Sequence, residues 1–289
     1  FGKVCVRSLD PIEKKPLYQF YPGSQILSLG SVGCNLRCGF CQNWGIAHDN
    51  PPTRDISSEM AVELARQQLE RGYPNIGIAY TYNEPFMWYE YVRDTARLAR
   101  EAGLKNVLVT NGYVNETPLR EILPYIDAMN IDVKGFTDEY YRESCKGRLE
   151  PVLRTVEIVH PRCHVELTTL LVTGLNDSVE EISRLVDWVA SLDREIPLHF
   201  SRYFPNFEVD LPATPLDTLR KARDIAREKL DYVYIGNAPQ LDANDTVCPE
   251  CGHNIITRLG FKARAVGLEG GKCPVCGRAI RIVGEVTGS

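Results

Sequence analysis

Ile26-Leu-Ser-Leu-Gly-Ser31, followed at once by Val32-Gly-Cys34-Asn-Leu-Arg-Cys38-Gly-Phe-Cys41, is the stretch that decides how this chain reads. The first six residues predict a short buried strand. The next ten form a loop with cysteines in a C-x3-C-x2-C spacing. Cysteines this close in sequence cannot staple a fold, but their thiolates can converge on one metal centre. Three thiolates on so short a loop can hold three corners of a cubane iron–sulfur cluster. The fourth iron then keeps an open position, as a catalytic zinc site does. Gly33 and Gly39 let the backbone wrap closely around such a centre. Three buried structural cysteines, or a zinc ion completed by His48, are the plainer readings. Neither accounts for the placement of the loop directly after a strand.

Outward from this loop, strand and helix patterns alternate. Strands are predicted at Ile26–Ser31, Ile76–Thr81, Asn106–Thr110, Ala128–Val133, Val165–Leu171 and Pro197–Arg202. Helices are predicted at Ser58–Arg71, Glu84–Ala102, Asp177–Ser191 and Pro215–Leu230. In the third of these, Val179, Ile182, Leu185, Val186 and Val189 recur at helical spacing. Such alternation indicates a parallel sheet with crossover helices. Every predicted strand runs into polar or glycine-containing chemistry: SVGCNLRC, TYNEP, TNG, DVKG, VTGLND and SRYFP in turn. A parallel barrel gathers all such ends at one face, whereas a doubly wound sheet concentrates them at one switch point. The expected fold class is therefore α/β, a partial parallel (β/α)6-type TIM barrel.

The chain of 289 residues is 44% apolar and 25% charged with a net charge of −5, which fits a globular protein and not a general binder of polyanions. No apolar run reaches the roughly 18 residues of a membrane span, and the opening FGKVCVRSLD does not resemble a signal peptide. Phe1 in place of an initiating Met suggests a trimmed start. Seven of ten cysteines fall in tight clusters, which suits metal sites in a reducing cytoplasm better than a secreted disulfide framework. Cys5, Cys145 and Cys163 stand alone.

After Tyr232–Gly236 the texture becomes turn-rich. Cys248-Pro-Glu-Cys251-Gly and Cys273-Pro-Val-Cys276-Gly then present two near-identical knuckles. Four thiolates so arranged make a closed tetrahedral site, hence a structural one. A zinc ribbon is expected, with a rubredoxin-like iron or an auxiliary iron–sulfur cluster as alternatives; His253 is not needed as a ligand. The expected organisation is an N-terminal extension (1–23), a barrel (24–245) and a four-cysteine metal ribbon (246–289). This last segment carries six basic and three acidic residues.

The three-cysteine loop, with aromatic Phe40 just before its last cysteine, resembles the signature of radical S-adenosylmethionine (radical SAM) enzymes, and the likeness extends over roughly residues 24–240. It implies that the open iron is chelated by SAM. One electron then cleaves the sulfonium to a 5′-deoxyadenosyl radical that abstracts hydrogen from a substrate. Tyr82-Asn83-Glu84-Pro85 stands where the family has Gly-Gly-Glu-Pro, which makes Glu84 the partner of the SAM amino group. Asn111 in Thr110-Asn111-Gly112 resembles a ribose or carboxylate ligand. Asp132 and Lys134 are similar to the Asp-x-Lys of pyruvate formate-lyase activating enzymes, Lys134 facing the SAM carboxylate. Asn43, two residues after Cys41, matches an activating-enzyme pattern, and Thr173–Asp177 a turn near the adenine. His199, Arg202 and Tyr203 are expected near the meeting point of substrate and SAM. The whole chain, with Asp10-Pro11-Ile12-Glu13-Lys14-Lys15-Pro16-Leu17 and the C-terminal knuckles, looks most like the radical SAM enzymes of the AmmeMemoRadiSam system.

The resemblance implies a one-electron donor such as flavodoxin or ferredoxin as partner, and a macromolecular substrate such as a protein. An RNA-modifying enzyme that docks phosphates on its basic tail is a second reading. A non-enzymatic electron carrier or scaffold is a third, and it leaves Glu84, Asn111, Asp132 and Lys134 without work.

Overall fold

The computed structural model describes residues 1–287. Its centre is an eight-stranded sheet. In chain order the strands are β1 (Val6–Pro11), β2 (Gln25–Gly30), β3 (Asn75–Tyr80), β4 (Lys105–Thr110), β5 (Ala128–Asp132), β6 (His164–Leu171), β7 (Leu198–Arg202) and β8 (Val233–Gly236). They are ordered β8-β7-β6-β5-β4-β3-β2-β1. β2 to β8 are all mutually parallel, and β1 pairs antiparallel with β2. The end strands β8 and β1 do not pair, so the sheet is open. Seven parallel strands thus stand where six were expected. The seventh is Val233–Gly236, too short at four residues to declare itself as a strand by pattern. Residues expected as an extension before the barrel supply its antiparallel edge.

Crossover helices α1 (Ser58–Glu70), α2 (Tyr89–Glu101), α3 (Glu116–Ile122), α4 (Glu150–Val159), α5 (Val179–Leu192) and α6 (Leu216–Arg227) separate the parallel strands. Ser57 and Ser178 cap α1 and α5 by accepting from the amides of Met60 and Glu181. The expected helix from Glu84 begins instead as a 3-10 turn, Pro85–Trp88, capped by Glu84, and becomes α-helical at Tyr89. Ile78, Leu108, Met129, Leu167, Leu198 and Ile235 belong to the helix-side core, together with Ala96, Val156, Leu185 and Ala222.

A smaller core fills the other face, where Ile12, Leu17 and Phe20 meet Ile26, Ala79, Val107 and Ala128. Residues 12–24 therefore plug the sheet on its inner side, toward the N-terminal ends of the strands. The C-terminal segment forms a three-stranded antiparallel sheet, β9 (Thr246–Val247), β10 (Asn254–Leu259) and β11 (Lys262–Ala265). It docks on that same end. Arg258 enters beside the plug, donating to the Tyr18 and Asn244 carbonyls and to Thr246, with its guanidinium 4.4 Å from the Tyr18 ring centre. Arg278 pairs with Glu195 and Asp231, and Arg281 with Asp193.

Candidate active site

Parallel strands place the segments after β2 to β7 at one edge of the sheet, and the cysteine loop lies among them. Gly33 holds φ +98°, a conformation that favours glycine, and its amide donates to the Ile46 carbonyl at 2.9 Å. Cys34 Sγ accepts from the Leu36 amide at 3.4 Å and from Asn111 Nδ2 at 3.5 Å. Asn111 Nδ2 also reaches Asn35 Oδ1 at 2.8 Å, which ties the end of β4 to the loop. Cys38 and Phe40 are buried, with the Phe40 ring stacked 5.9 Å from Tyr140; Cys34 and Cys41 are half-buried. Asn43 is exposed and precedes a short turn, Trp44–Ala47.

Burial pushes the Cys34 thiol up to about 11 and raises Cys41, while a hydrogen bond with Cys145 and burial raise Cys38. The charge of Lys134 opposes the rise at all three. Metal loading must therefore expel protons, and Lys134 favours the resulting thiolates.

Tyr82-Asn83-Glu84 does three separate things. Tyr82 adopts φ +74°, the left-handed region in which glycine is the usual occupant. Its hydroxyl donates to Asp10, and Lys15 Nζ lies 4.4 Å from its ring centre. The Asp10-Pro-Ile-Glu-Lys-Lys segment thereby anchors a bulky residue in a strained turn. Asn83 Oδ1 accepts from the Ser31 amide and its Nδ2 donates to the Gly33 carbonyl, both at 3.0 Å. This clamp on the loop was not foreseen from the sequence, where Tyr-Asn read simply as a departure from Gly-Gly.

Glu84 is 2% exposed. Oε1 accepts from Thr110 Oγ1 at 2.8 Å and the Phe86 amide at 3.2 Å, and Oε2 from the Asn111 amide at 2.8 Å. Burial pushes its carboxyl up to about 7, against these bonds and the charge of Lys134.

At the end of β5, Lys134 Nζ pairs with Asp132 Oδ2 at 3.0 Å. Burial works against the ammonium, but the carboxylate of Asp132 outweighs it and holds the Lys134 pKa well above its ordinary value. Asn176 Nδ2 donates to the Lys134 carbonyl at 2.6 Å and to the Leu170 carbonyl at 2.9 Å, so the turn after β6 fixes Lys134 from behind. A cavity of about 370 Å³ opens beside the loop between Asn35, Phe86, Met87, Tyr113 and Val114.

The residues expected around a substrate disperse. His199 is the second residue of β7, so its ring lies toward the other end of the sheet, where Nε2 meets Glu166 Oε2 at 2.7 Å. His164 binds the other oxygen at 2.9 Å. Burial opposes ionisation of Glu166, but the two histidines outweigh it and hold the pKa at about 2. Sequence position along a strand misled here by one half-strand length. Tyr203 is buried with its hydroxyl on the Val209 carbonyl, and Arg202 donates to the Thr214 carbonyl.

At the opposite end, Cys248, Cys251, Cys273 and Cys276 bring four sulfurs within 4.8 Å of one another. The amides of Gly252 and Gly277 return to the Cys248 and Cys273 carbonyls, both at 2.9 Å, so the knuckles are conformational copies. Cys248–Cys276 and Cys251–Cys273 sulfur separations are 3.5 and 3.6 Å. Metal–sulfur bonds of about 2.3 Å at tetrahedral angles put sulfurs about 3.8 Å apart, so the group fits one ion.

A family model described as the Radical SAM superfamily matches residues 29–189. An uncharacterised protein of Methanocaldococcus jannaschii is 45% identical over 98% of this chain and 85% of its own length. The pyruvate formate-lyase-activating enzyme of Clostridium pasteurianum is 26% identical over 55% of this chain and 67% of its own. Among solved structures, that of Streptococcus suis SuiB superposes with a TM-score of 0.61 at 15% identity, over 80% of this chain and 53% of that one. No helix among the described residues is long and apolar enough to cross a membrane.

Proposed function

The chain belongs to the radical SAM superfamily, and from that membership we propose that it cleaves SAM reductively and abstracts hydrogen from a macromolecular substrate, in the manner of an activating enzyme. Cys34, Cys38 and Cys41 would hold the 4Fe-4S cluster, which when bound supplies the electron and an open iron for SAM. The observation that carries the reading is the Lys134 ammonium, fixed by Asp132 and Asn176 and close enough to all three thiols to favour their ionised forms.

The other residues follow from their surroundings. Glu84 is a buried carboxylate beside Cys34 and Lys134, suited to a ligand ammonium, and an arriving positive charge would favour its ionised form. Asn111 offers an amide already pointed at the loop. Asp132, with its side chain 36% exposed, is open to a ribose hydroxyl, and Lys134 to a carboxylate. Phe40 walls the loop against Tyr140, and Asn43 is exposed two residues after Cys41.

The tail would carry a structural zinc that secures the plugged end of the sheet. Arg258, Arg278 and Arg281 are engaged within the molecule, which favours a protein substrate over phosphate docking by the tail. A flavodoxin or ferredoxin in a cytoplasmic setting would supply the electron. The protein reconstituted anaerobically with iron and sulfide, then given dithionite and SAM, should form 5′-deoxyadenosine; an intact cluster without that product would refute the proposal. Deuterated candidate substrates would then identify the hydrogen transferred.

A further inference from the structure

The inner face of the sheet carries a charged cluster of its own, built on the plug and not on the cysteine loop. Ser8 and Asp10 of β1 stand opposite Ser28 and Ile26 of β2, so their side chains share the face that the plug covers. Tyr82 lies across the same face: a Cβ added at Gly30 would stand 3.0 Å from its ring. Four donors converge on Asp10. Ser8 Oγ and Lys14 Nζ reach Oδ1, both at 3.0 Å, while Lys15 Nζ reaches Oδ2 at 2.7 Å and the Tyr82 hydroxyl joins it there. Burial opposes ionisation of Asp10, but the bonds from Lys15 and Tyr82 outweigh it and hold the carboxyl well below its usual range. Burial also pulls Lys15 down to about 8, which leaves it mostly charged at neutral pH.

Two ammonium groups therefore face one carboxylate, a net charge of one positive unit. Glu13 does not offset it, because its Oε1 accepts from the Gly23 amide and faces Arg258. Four donors saturate the Asp10 carboxylate, whereas each ammonium has three N–H groups and one acceptor among the described residues. Lys15 is buried, but the Lys14 side chain is 43% exposed. This floor adjoins the candidate active site on two sides. Lys14 Nζ lies 5.8 Å from the ring centre of Tyr82, from which the chain leads directly to Asn83 and Glu84. The Pro16 carbonyl accepts from Asn130 Nδ2 at 2.8 Å, and Asn130 shares its face of β5 with Asp132.

We propose that Lys14 is an anion subsite for the substrate: its ammonium, held in place by Asp10, binds one carboxylate of a protein. One net positive charge matches one monoanion, and an ammonium with free N–H groups bonds a carboxylate directly. A protein brings such a group as an acidic side chain or as its chain end. The subsite deepens the substrate reading above and rests on it, and the test separates the two.

The anaerobically reconstituted full chain is titrated by nuclear magnetic resonance at constant ionic strength, with chloride replaced by each probe in turn. The probes are N-acetylaspartate amide for a side chain, N-acetylglycine for a chain end and dimethyl phosphate for a nucleic-acid backbone. Saturable shifts at the amides of residues 13–15 and 82 are expected with a carboxylate probe, and the tighter of the two carboxylates identifies its source. Lys14→Met should weaken that binding at least about fivefold, and Lys14→Arg should restore most of it. Equal affinity in Lys14→Met, shifts that never saturate, or tighter binding of dimethyl phosphate than of either carboxylate would each overturn the proposal. Saturable carboxylate binding by a protein that forms no 5′-deoxyadenosine would support the subsite and overturn the cleavage reading instead.

Discussion

Ser31 donates its amide to Asn83 Oδ1 at 3.0 Å, and Asn83 returns a bond of the same length to the Gly33 carbonyl. The end of β3 thereby fixes the entry to the cysteine loop, three residues before Cys34. Asn83→Ala would strand one buried amide and one carbonyl, at about 1–3 kcal/mol in stability. We expect a lower thermal midpoint and reduced iron and sulfide uptake, with the tail metal unchanged. Unaltered cluster loading, measured by iron and sulfide analysis, would refute the clamp.

Tyr82→Phe tests how the chain keeps a bulky residue in the glycine region. The ring and its packing stay, and the hydroxyl bonded to Asp10 is lost. Bonds to charged groups contribute about 1.5–3 kcal/mol. Chemical denaturation should show a loss in that range, while SAM cleavage by the reconstituted enzyme stays within a few-fold of wild type. A stability equal to wild type would mean that Asp10 does not hold the turn.

The plugged end of the sheet should give two opposite pH effects. Glu166 has its pKa lowered from 4.5 to about 2, so its contribution is full above about pH 4.5 and is lost as pH falls through 2. Glu13 is pushed up from 4.5 to about 7 by burial, so its contribution is full below about 4.5 and is lost as pH rises through 7. Glu13→Gln should flatten the loss of stability between pH 5 and 8, and Glu166→Gln should flatten the acid limb. Stability profiles parallel to wild type for both variants would contradict these assignments.

Cys251→Ala should release the tail metal and spare the cluster. The ribbon strand that carries Arg258 would then loosen, and a drop of several degrees in thermal midpoint should accompany loss of one zinc per chain. Arg258→Met probes the same joint from the other side. It removes the guanidinium that faces buried Glu13 and leaves the Tyr18 carbonyl without its donor, a change of about 1–3 kcal/mol. Retained zinc in Cys251→Ala, by metal analysis, would exclude a four-sulfur site.

The six parallel strands and their order were legible because short apolar runs alternated with amphipathic helices of clear period. That Cys34, Cys38, Cys41, Glu84, Asn111, Asp132 and Lys134 lie at one edge of the sheet was legible because they sit at or just beyond the ends of successive parallel strands. β1 and β8 were not, since an edge strand with Arg7 and Asp10 and a run of four residues carry little periodicity. Asn83 and Asn176 act through contacts made across distant parts of the chain, which no local pattern encodes. His199 was drawn to the wrong end because a strand motif fixes direction but not depth.

The plug formed by residues 12–24, braced by Arg258, has a kinetic consequence. With the far end stoppered, the cavity beside the cysteine loop, between Asn35, Phe86, Met87, Tyr113 and Val114, is a way in for a small molecule. Under the proposed function, a small molecule that enters first would be sealed in by the large substrate that arrives second, and the reverse order would leave the small one outside. Excess partner added before SAM should therefore slow the first turnover, while SAM added first should not.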